Sequence, residues 1–122
     1  MSYDPDNIFA RILRGELPCK KVYEDEHALA FHDINPQAPL HVLVIPKGAY
    51  VSMADFGAKA TPEELAGFFR AVAKTAEILG VVENGYRFLG NVGADANQEV
   101  PHFHVHIFAG GPLGPMIQAR RR

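Results

Sequence analysis

Apolar residues recur along this chain with two periods, the helical one and the alternation typical of strands. A stripe at helical spacing near the N-terminus predicts a short helix that carries Ile8, Phe9, Ile12 and Leu13. Asp4 or Asn7 can cap this helix, and Gly15 favours its end.

A second apolar face predicts the one long helix of the chain. Thr61 is a candidate N-cap, Pro62 suits the first helical position, and Glu64 completes a capping box. The face then repeats at helical spacing through Leu65, Phe68, Phe69, Val72, Ala76 and Leu79. Gly80 favours the end of this helix, whereas the preceding segment 50–60 has no clear assignment.

Five further segments have the composition of strands: residues 20–24, 28–33, 41–45, 86–92 and 100–108. Residues 25–27 predict a turn between the first two. The third segment is a β-branched run bounded by prolines, which predicts a strand buried on both faces. The helices are too few for a doubly wound fold, so an α+β fold with an antiparallel sheet fits best.

Composition limits the size, compartment and partners of the protein. Its 122 residues, 48% hydrophobic and 21% charged, predict a single domain spanning 1–122, with about 115–122 as a flexible basic tail. The net charge of −2 does not indicate nucleic-acid binding, and Arg120 to Arg122 form the only basic run. With one cysteine, no signal peptide and no membrane-length apolar run, we expect a cytoplasmic protein without a membrane partner.

Three of the six histidines alternate in the run His102-Phe103-His104-Val105-His106. A strand through this run places the three imidazoles on one face, with Phe103, Val105 and Ile107 on the other, toward the core. Such a row costs β-propensity and needs a purpose such as anion binding, metal binding or proton transfer.

Phosphate chemistry and metal binding both fit the row at this point. Alternate strand residues lie about 6.6 Å apart, so two of them could share a metal with His41 as a third ligand. The imidazoles also span a phosphate and its leaving group, and the loop 93–99 could supply a cradle of backbone N–H groups. Asp95 and Glu99 count against that cradle because they add negative charge.

Over nearly its whole length the sequence resembles the histidine triad (HIT) family. Besides the histidine run with Ile107-Phe108, the similar blocks are 8–18, 31–41, 44–47, 85–87 with Asn91, 98–100 and 110–116. The resemblance is to the bacterial phosphoramidase branch. It implies a HIT-like α+β fold with a five-stranded antiparallel sheet, one long and one short helix, and a homodimer with a ten-stranded sheet. It also implies purine nucleoside 5′-phosphoramidates or acyl-adenylates as substrates, AMP or GMP as product, and no metal or cofactor.

The resemblance assigns roles by position. His104 matches the nucleophile, His106 a phosphate-binding imidazole, and His41 and His102 the orienting and proton-relay histidines. Asp33 matches the acidic residue that holds both ribose hydroxyls. The base pocket corresponds to Ile8, Phe9, Ile12, Phe31, His32 and Ile34. The remaining nucleotide contacts correspond to Asn91, Asn97, Gln98, Glu99 and Val100.

Two positions depart from the family's pattern. Asn97 stands where glycine is usual, and Glu99 where animal members often have serine. Asparagine is the residue other than glycine that best tolerates positive φ, so we expect the loop to form. Glu99 removes a hydroxyl donor, which leaves the leaving-group preference open.

Four alternatives remain beside phosphoramidate hydrolysis. A dinucleoside polyphosphate hydrolase of the same superfamily usually has glutamine where this chain has His106. Nucleotidyl transfer would replace water by another acceptor. A purine nucleotide-binding module with little turnover and a zinc-binding protein are the alternatives outside this chemistry.

Overall fold

A computed structural model describes residues 2–117 of the chain. The elements are α1 Ile8–Leu13, β1 Lys21–Glu24, β2 Ala28–His32, β3 Leu40–Pro46, α2 Met53–Lys59, α3 Pro62–Leu79, β4 Arg87–Leu89 and β5 Val105–Ala109, with a 3-10 turn at Ala94–Ala96. Within residues 2–117, no helix is both long and apolar enough to cross a membrane. Arg120 to Arg122 of the predicted tail lie outside the described residues.

The five strands form one sheet in the order β1-β2-β3-β5-β4, and every neighbouring pair is antiparallel. This confirms the predicted α+β fold. The central strand β3 is buried along almost its whole length, as its β-branched run predicts. Its residues alternate between two cores, Val42 and Val44 on the side of α3, and Leu43 and Ile45 on the side of α1.

The helix ends form where the sequence predicts them. The Asn7 side chain accepts the Ala10 N–H at 2.9 Å at the start of α1. The Thr61 hydroxyl accepts the Glu64 N–H at 3.0 Å at the start of α3, and Gly80 ends that helix with φ 73°. The predicted apolar face of α3 is correct except at Phe69, whose side chain is 39% exposed.

The prediction of one short and one long helix omits α2. This helix begins in the segment left unassigned, where Ser52 and Asp55 form a capping box. The Asp55 carboxylate accepts the N–H groups of Val51 and Ser52 at 2.8 and 2.7 Å. A serine followed three residues later by a carboxylate is a recognised N-terminal signal, with aspartate here in place of the usual glutamate.

The last strand is shorter than predicted, and only one histidine of the run lies in it. The strand begins at Val105 and not at residue 100, so the prediction of three imidazoles on one strand face is wrong. Pro101 has no N–H for a ladder, and the Phe103 N–H donates instead to the Tyr50 carbonyl at 2.7 Å. Because β4 pairs only with this shortened strand, it covers 87–89 of the predicted 86–92. Phe103, Val105 and Ile107 are buried as predicted.

Candidate active site

A cleft of about 570 Å³ lies between α1, the end of β2 and the loop 91–100. This volume falls in the range of small-molecule sites. Most residues assigned by the resemblance line it, namely Ile8, Phe9, Ile12, Phe31, His32, Asp33, Ile34, Asn91, Asn97, Glu99, Val100, His104 and His106. His41, His102 and Gln98 do not line it. The lining also includes residues to which the sequence analysis gave no role: Pro18, Cys19, Asn35, Gln37, Leu43 and Ala96.

The tautomer of His104 follows from its hydrogen bond. Its Nδ1 lies 2.7 Å from the backbone carbonyl of His102, and a carbonyl only accepts. Nδ1 therefore carries the proton, and Nε2 keeps its lone pair. The Phe9 ring packs edge-on against the imidazole, with 5.0 Å between centroids. Burial lowers the pKa of His104, so the ring is neutral at neutral pH. A neutral imidazole with a free Nε2 is a competent nucleophile.

A chain of hydrogen bonds sets the protons of His41 and His106. The Gln37 N–H donates to His41 Nδ1 at 3.1 Å, so neutral His41 carries its proton on Nε2. The Nε2–H of His41 donates to His106 Nδ1 at 2.9 Å, so the proton of neutral His106 lies on its Nε2. Burial lowers the pKa of His41, and it lowers the pKa of His106 to about 4. His106, which lines the cleft, therefore offers a neutral N–H donor that suits a phosphoryl oxygen.

Asp33 lies beside this pair of imidazoles. Its Oδ2 is 3.4 Å from His41 Nε2, and its Oδ1 accepts the Asn35 N–H at 2.8 Å. Ligand atoms of Asp33, His41 and His106 lie within 4.8 Å of one another, a spacing that a metal ion could use. The directions of the hydrogen bonds oppose metal binding here. A metal ion on His41 Nε2 would require the His41 proton on Nδ1, but Nδ1 already accepts the Gln37 N–H. The hydrogen bonds instead form a chain from the Gln37 N–H through His41 to His106.

His102 is fully buried next to His104. Its Nε2–H donates to the Pro46 carbonyl at 2.9 Å, and its Nδ1 accepts the Tyr3 hydroxyl at 2.6 Å. Burial lowers the pKa of His102 to about 4. Because the ring does not line the cleft, it can act on a ligand only through its neighbours. The sequence pattern contains no signal for the Tyr3 contact.

The loop before the histidines is held by a side chain outside the cleft. The Gln98 carboxamide oxygen accepts the Gly93 N–H at 3.0 Å, and its NH₂ group donates to the carbonyls of Val51 and Val100 at 2.6 and 3.1 Å. All of its polar atoms are engaged within the protein. Asn97 adopts φ 57°, the left-handed conformation expected at this position.

The charge of the cleft is negative. Asp33 and Glu99 line it, and no lysine or arginine does so within residues 2–117. The imidazoles of His104 and His106 contribute no positive charge at neutral pH because burial lowers their pKa values. A ligand phosphate must therefore be held by neutral N–H donors.

Comparison with known proteins identifies the family. A family model described as the HIT domain matches residues 14–113. An uncharacterised 13.2 kDa HIT-like protein of Azospirillum brasilense is 71% identical over 116 residues, 95% of each chain. An Escherichia coli K12 protein named purine nucleoside phosphoramidase is 41% identical over 112 residues, 92% of this chain and 93% of the relative. The structure of a HIT family hydrolase from Clostridium thermocellum matches with TM-score 0.84 and 40% identity, over 93% of this chain and 97% of that one. The protein belongs to the HIT-domain family.

Proposed function

We propose that this protein hydrolyses purine nucleoside 5′-phosphoramidates and acyl-adenylates through a nucleotidyl intermediate on His104. One observation carries the proposal. His104 lines the cleft, and its bond to the His102 carbonyl leaves Nε2 as the unprotonated nitrogen of a neutral ring. The phosphoramidase name of the E. coli relative supports the same reaction class.

The reaction takes two displacements at phosphorus. His104 Nε2 bonds to the α-phosphorus, the P–N bond to the amine breaks, and its electron pair stays with the amine nitrogen, which takes a proton from water. The resulting hydroxide oxygen then bonds to phosphorus, the P–Nε2 bond breaks, and the ring regains its lone pair. The net reaction consumes one water and yields the free amine and the nucleoside monophosphate. His106 Nε2–H stabilises the phosphoryl oxygens during both steps.

The rest of the cleft suits the nucleoside. Ile8, Phe9, Ile12 and Phe31 form an apolar wall for the purine base. The Asp33 carboxylate accepts one hydrogen bond, from the Asn35 N–H, and has acceptor capacity left for two adjacent ribose hydroxyls.

The negative charge of the cleft favours phosphoramidates over dinucleoside polyphosphates. A polyphosphate carries several negative charges, and such ligands are usually clamped by lysine, arginine or a metal ion. The described lining offers two carboxylates and the neutral imidazoles of His104 and His106 instead. A phosphoramidate brings a single negative charge at its phosphorus, which neutral N–H donors can hold.

The test is AMP release from adenosine 5′-phosphoramidate in the presence of EDTA. We compare the wild type with His104→Asn and with a control, His27→Asn, which lies outside the cleft. Wild type and control should release AMP, and His104→Asn should be slower by at least about 10³-fold because the covalent route is lost. Intact-protein mass spectrometry should detect the nucleotidyl adduct only where His104 is present.

Each other result contradicts a specific part of the proposal. If the folded wild type releases no AMP, the hydrolysis proposal is contradicted and the alternative is a nucleotide-binding protein without turnover. Release that persists in His104→Asn would exclude this residue as the nucleophile. Loss of activity in EDTA that zinc restores would favour a metal mechanism.

We also propose that two copies pair through β4 into a ten-stranded sheet. This strand is an edge of the sheet, and its apolar residue Phe88 is 58% exposed; Val92, in the loop that follows, is 46% exposed. Sedimentation equilibrium should give twice the mass of one chain, and Phe88→Glu should give a monomer. A monomeric wild type at micromolar concentration would contradict this pairing.

A further inference from the structure

The segment that carries the nucleophile lies outside the sheet ladder, because β5 begins one residue after His104. Its position therefore depends on the buried Phe103 side chain and on separate hydrogen bonds. These bonds include the Phe103 N–H to the Tyr50 carbonyl at 2.7 Å, the His102 Nε2–H to the Pro46 carbonyl at 2.9 Å, and the Tyr3 hydroxyl to His102 Nδ1 at 2.6 Å.

We propose that Tyr3 is a positioning residue for the nucleophile, and that its hydroxyl holds the buried His102 ring whose backbone carbonyl orients His104. The inference rests on the proposed role of His104. Tyr3 does not line the cleft, so it acts only through His102.

The polarity of the His102 contacts makes Tyr3 the donor. The Pro46 carbonyl can only accept, so the ring proton lies on Nε2 and Nδ1 must accept. Within the described part of the chain, no buried side-chain nitrogen or oxygen lacks a partner. Removing the Tyr3 hydroxyl would leave His102 Nδ1 buried without a hydrogen-bond partner. This cost favours a shift of the His102 ring from its present position.

The N-terminal segment is anchored firmly enough to carry out this role. The Asn7 side chain donates to the Asp4 carbonyl at 2.7 Å while it caps α1. The Arg14 guanidinium donates to the Pro5 carbonyl at 2.6 Å. From the same helix, the Phe9 ring packs edge-on against both His102 and His104. Tyr3 and Phe9, which belong to this anchored segment, therefore both pack against the His102 imidazole.

The first test is the kinetics of Tyr3→Phe on adenosine 5′-phosphoramidate. A misplaced nucleophile lowers kcat, whereas nucleotide binding does not involve Tyr3. We expect kcat to fall about tenfold, with KM and the Kd for AMP unchanged within about twofold. Tyr23→Phe is the matched control, because it also loses one hydroxyl bond, to Asp25 at 2.9 Å, away from the cleft. The control should keep the wild-type kcat.

The second test reads the His104 tautomer by ¹⁵N NMR of the imidazoles and does not depend on turnover. The wild type and Tyr23→Phe should show the His104 proton on Nδ1 alone, and Tyr3→Phe should show a mixture of tautomers. A purely structural Tyr3 would lower the free energy of unfolding as Tyr23→Phe does and leave these signals in place.

Unchanged kcat in Tyr3→Phe, or His104 signals identical to those of the wild type, would overturn the inference. A wild type without turnover would instead overturn the proposed function, and the imidazole spectra would then decide the role of Tyr3 without the kinetics.

Discussion

The chemistry of the cleft depends on which nitrogen of each histidine carries the proton. In three cases a backbone group decides it: the His102 carbonyl for His104, the Gln37 N–H for His41, and the Pro46 carbonyl for His102. Backbone groups do not titrate, so these assignments hold over the whole pH range in which the rings stay neutral. Burial extends that range toward acid, since it lowers the pKa of all three rings.

A residue away from the cleft gives a direct test of packing. A methyl group at Gly67 would overlap the His27 imidazole, whereas Gly57 has nothing within 4 Å. We expect Gly67→Ala to lower the free energy of unfolding by about 1–3 kcal/mol through overpacking. Gly57→Ala should raise it by about 0.5–1 kcal/mol through helix propensity. Urea denaturation measures both. A stabilising effect of both changes would mean that the His27 ring moves aside without cost.

Among the elements, the loop between β4 and β5 contributes most to the cleft, with Asn91, Ala96, Asn97, Glu99, Val100 and His104 in the lining. Except for the 3-10 turn, no regular structure supports it. Gln98 fixes it with three hydrogen bonds that span the loop from Gly93 to Val100 and reach Val51 before α2. The resemblance assigned Gln98 to nucleotide contacts, and in the structure its carboxamide bonds to backbone groups of the loop and of Val51.

The loop contact predicts a pH-dependent effect of one substitution. Gln98→Glu replaces the NH₂ group that faces the Val51 and Val100 carbonyls by oxygen. At about pH 8 the new carboxylate is repelled by both carbonyls, and we expect a loss of about 2 kcal/mol in the free energy of unfolding. At about pH 5, partial protonation restores one donor and recovers part of this loss.

Gln98→Ala is the control. It introduces no titrating group, so the free energy of unfolding that it costs relative to the wild type should be the same at both pH values. Urea denaturation of the two variants and the wild type at each pH measures the difference. An equal cost of Gln98→Glu at both pH values would contradict the assigned donor role of the NH₂ group.

Over the whole molecule, burying neutral imidazoles makes stability depend on pH. The pKa values of His102 and His106 are lowered from the ordinary 6.5 to about 4. Below pH 6.5 the unfolded chain therefore binds protons that the folded chain does not, and stability falls as the pH decreases toward 4. For His102 alone, the full pKa shift corresponds to about 3 kcal/mol in the free energy of unfolding.

We expect the urea midpoint to fall steadily from about pH 7 to about pH 5, above the range in which most carboxylates titrate. His102→Asn should be less stable at neutral pH and should show a weaker pH dependence over this interval. A wild-type midpoint that is flat between these two pH values would contradict the neutral, buried state of the histidines.

The amino-acid pattern was sufficient for features whose signals are local. Thr61, Pro62 and Glu64 define the start of α3 within four residues, and the β-branched run of β3 marks the centre of the sheet. The residue types of the histidine run and the blocks around it were sufficient to identify the HIT family and most of the residues that line one cleft. Alternation also placed Phe103, Val105 and Ile107 in the core, even though the strand begins only at Val105.

Other features follow from contacts between distant parts of the chain, which periodicity cannot contain. Residues 100–104 leave the sheet because their backbone and rings find partners in Tyr50, Pro46 and Tyr3, the last of them 99 positions from His102. Pro18 and Cys19 likewise depend on distant contacts, because they line the cleft only once α1 is packed on the sheet. The sequence thus supplied the chemical groups and their family, whereas the proton on each imidazole follows from hydrogen bonds that only the folded chain can make.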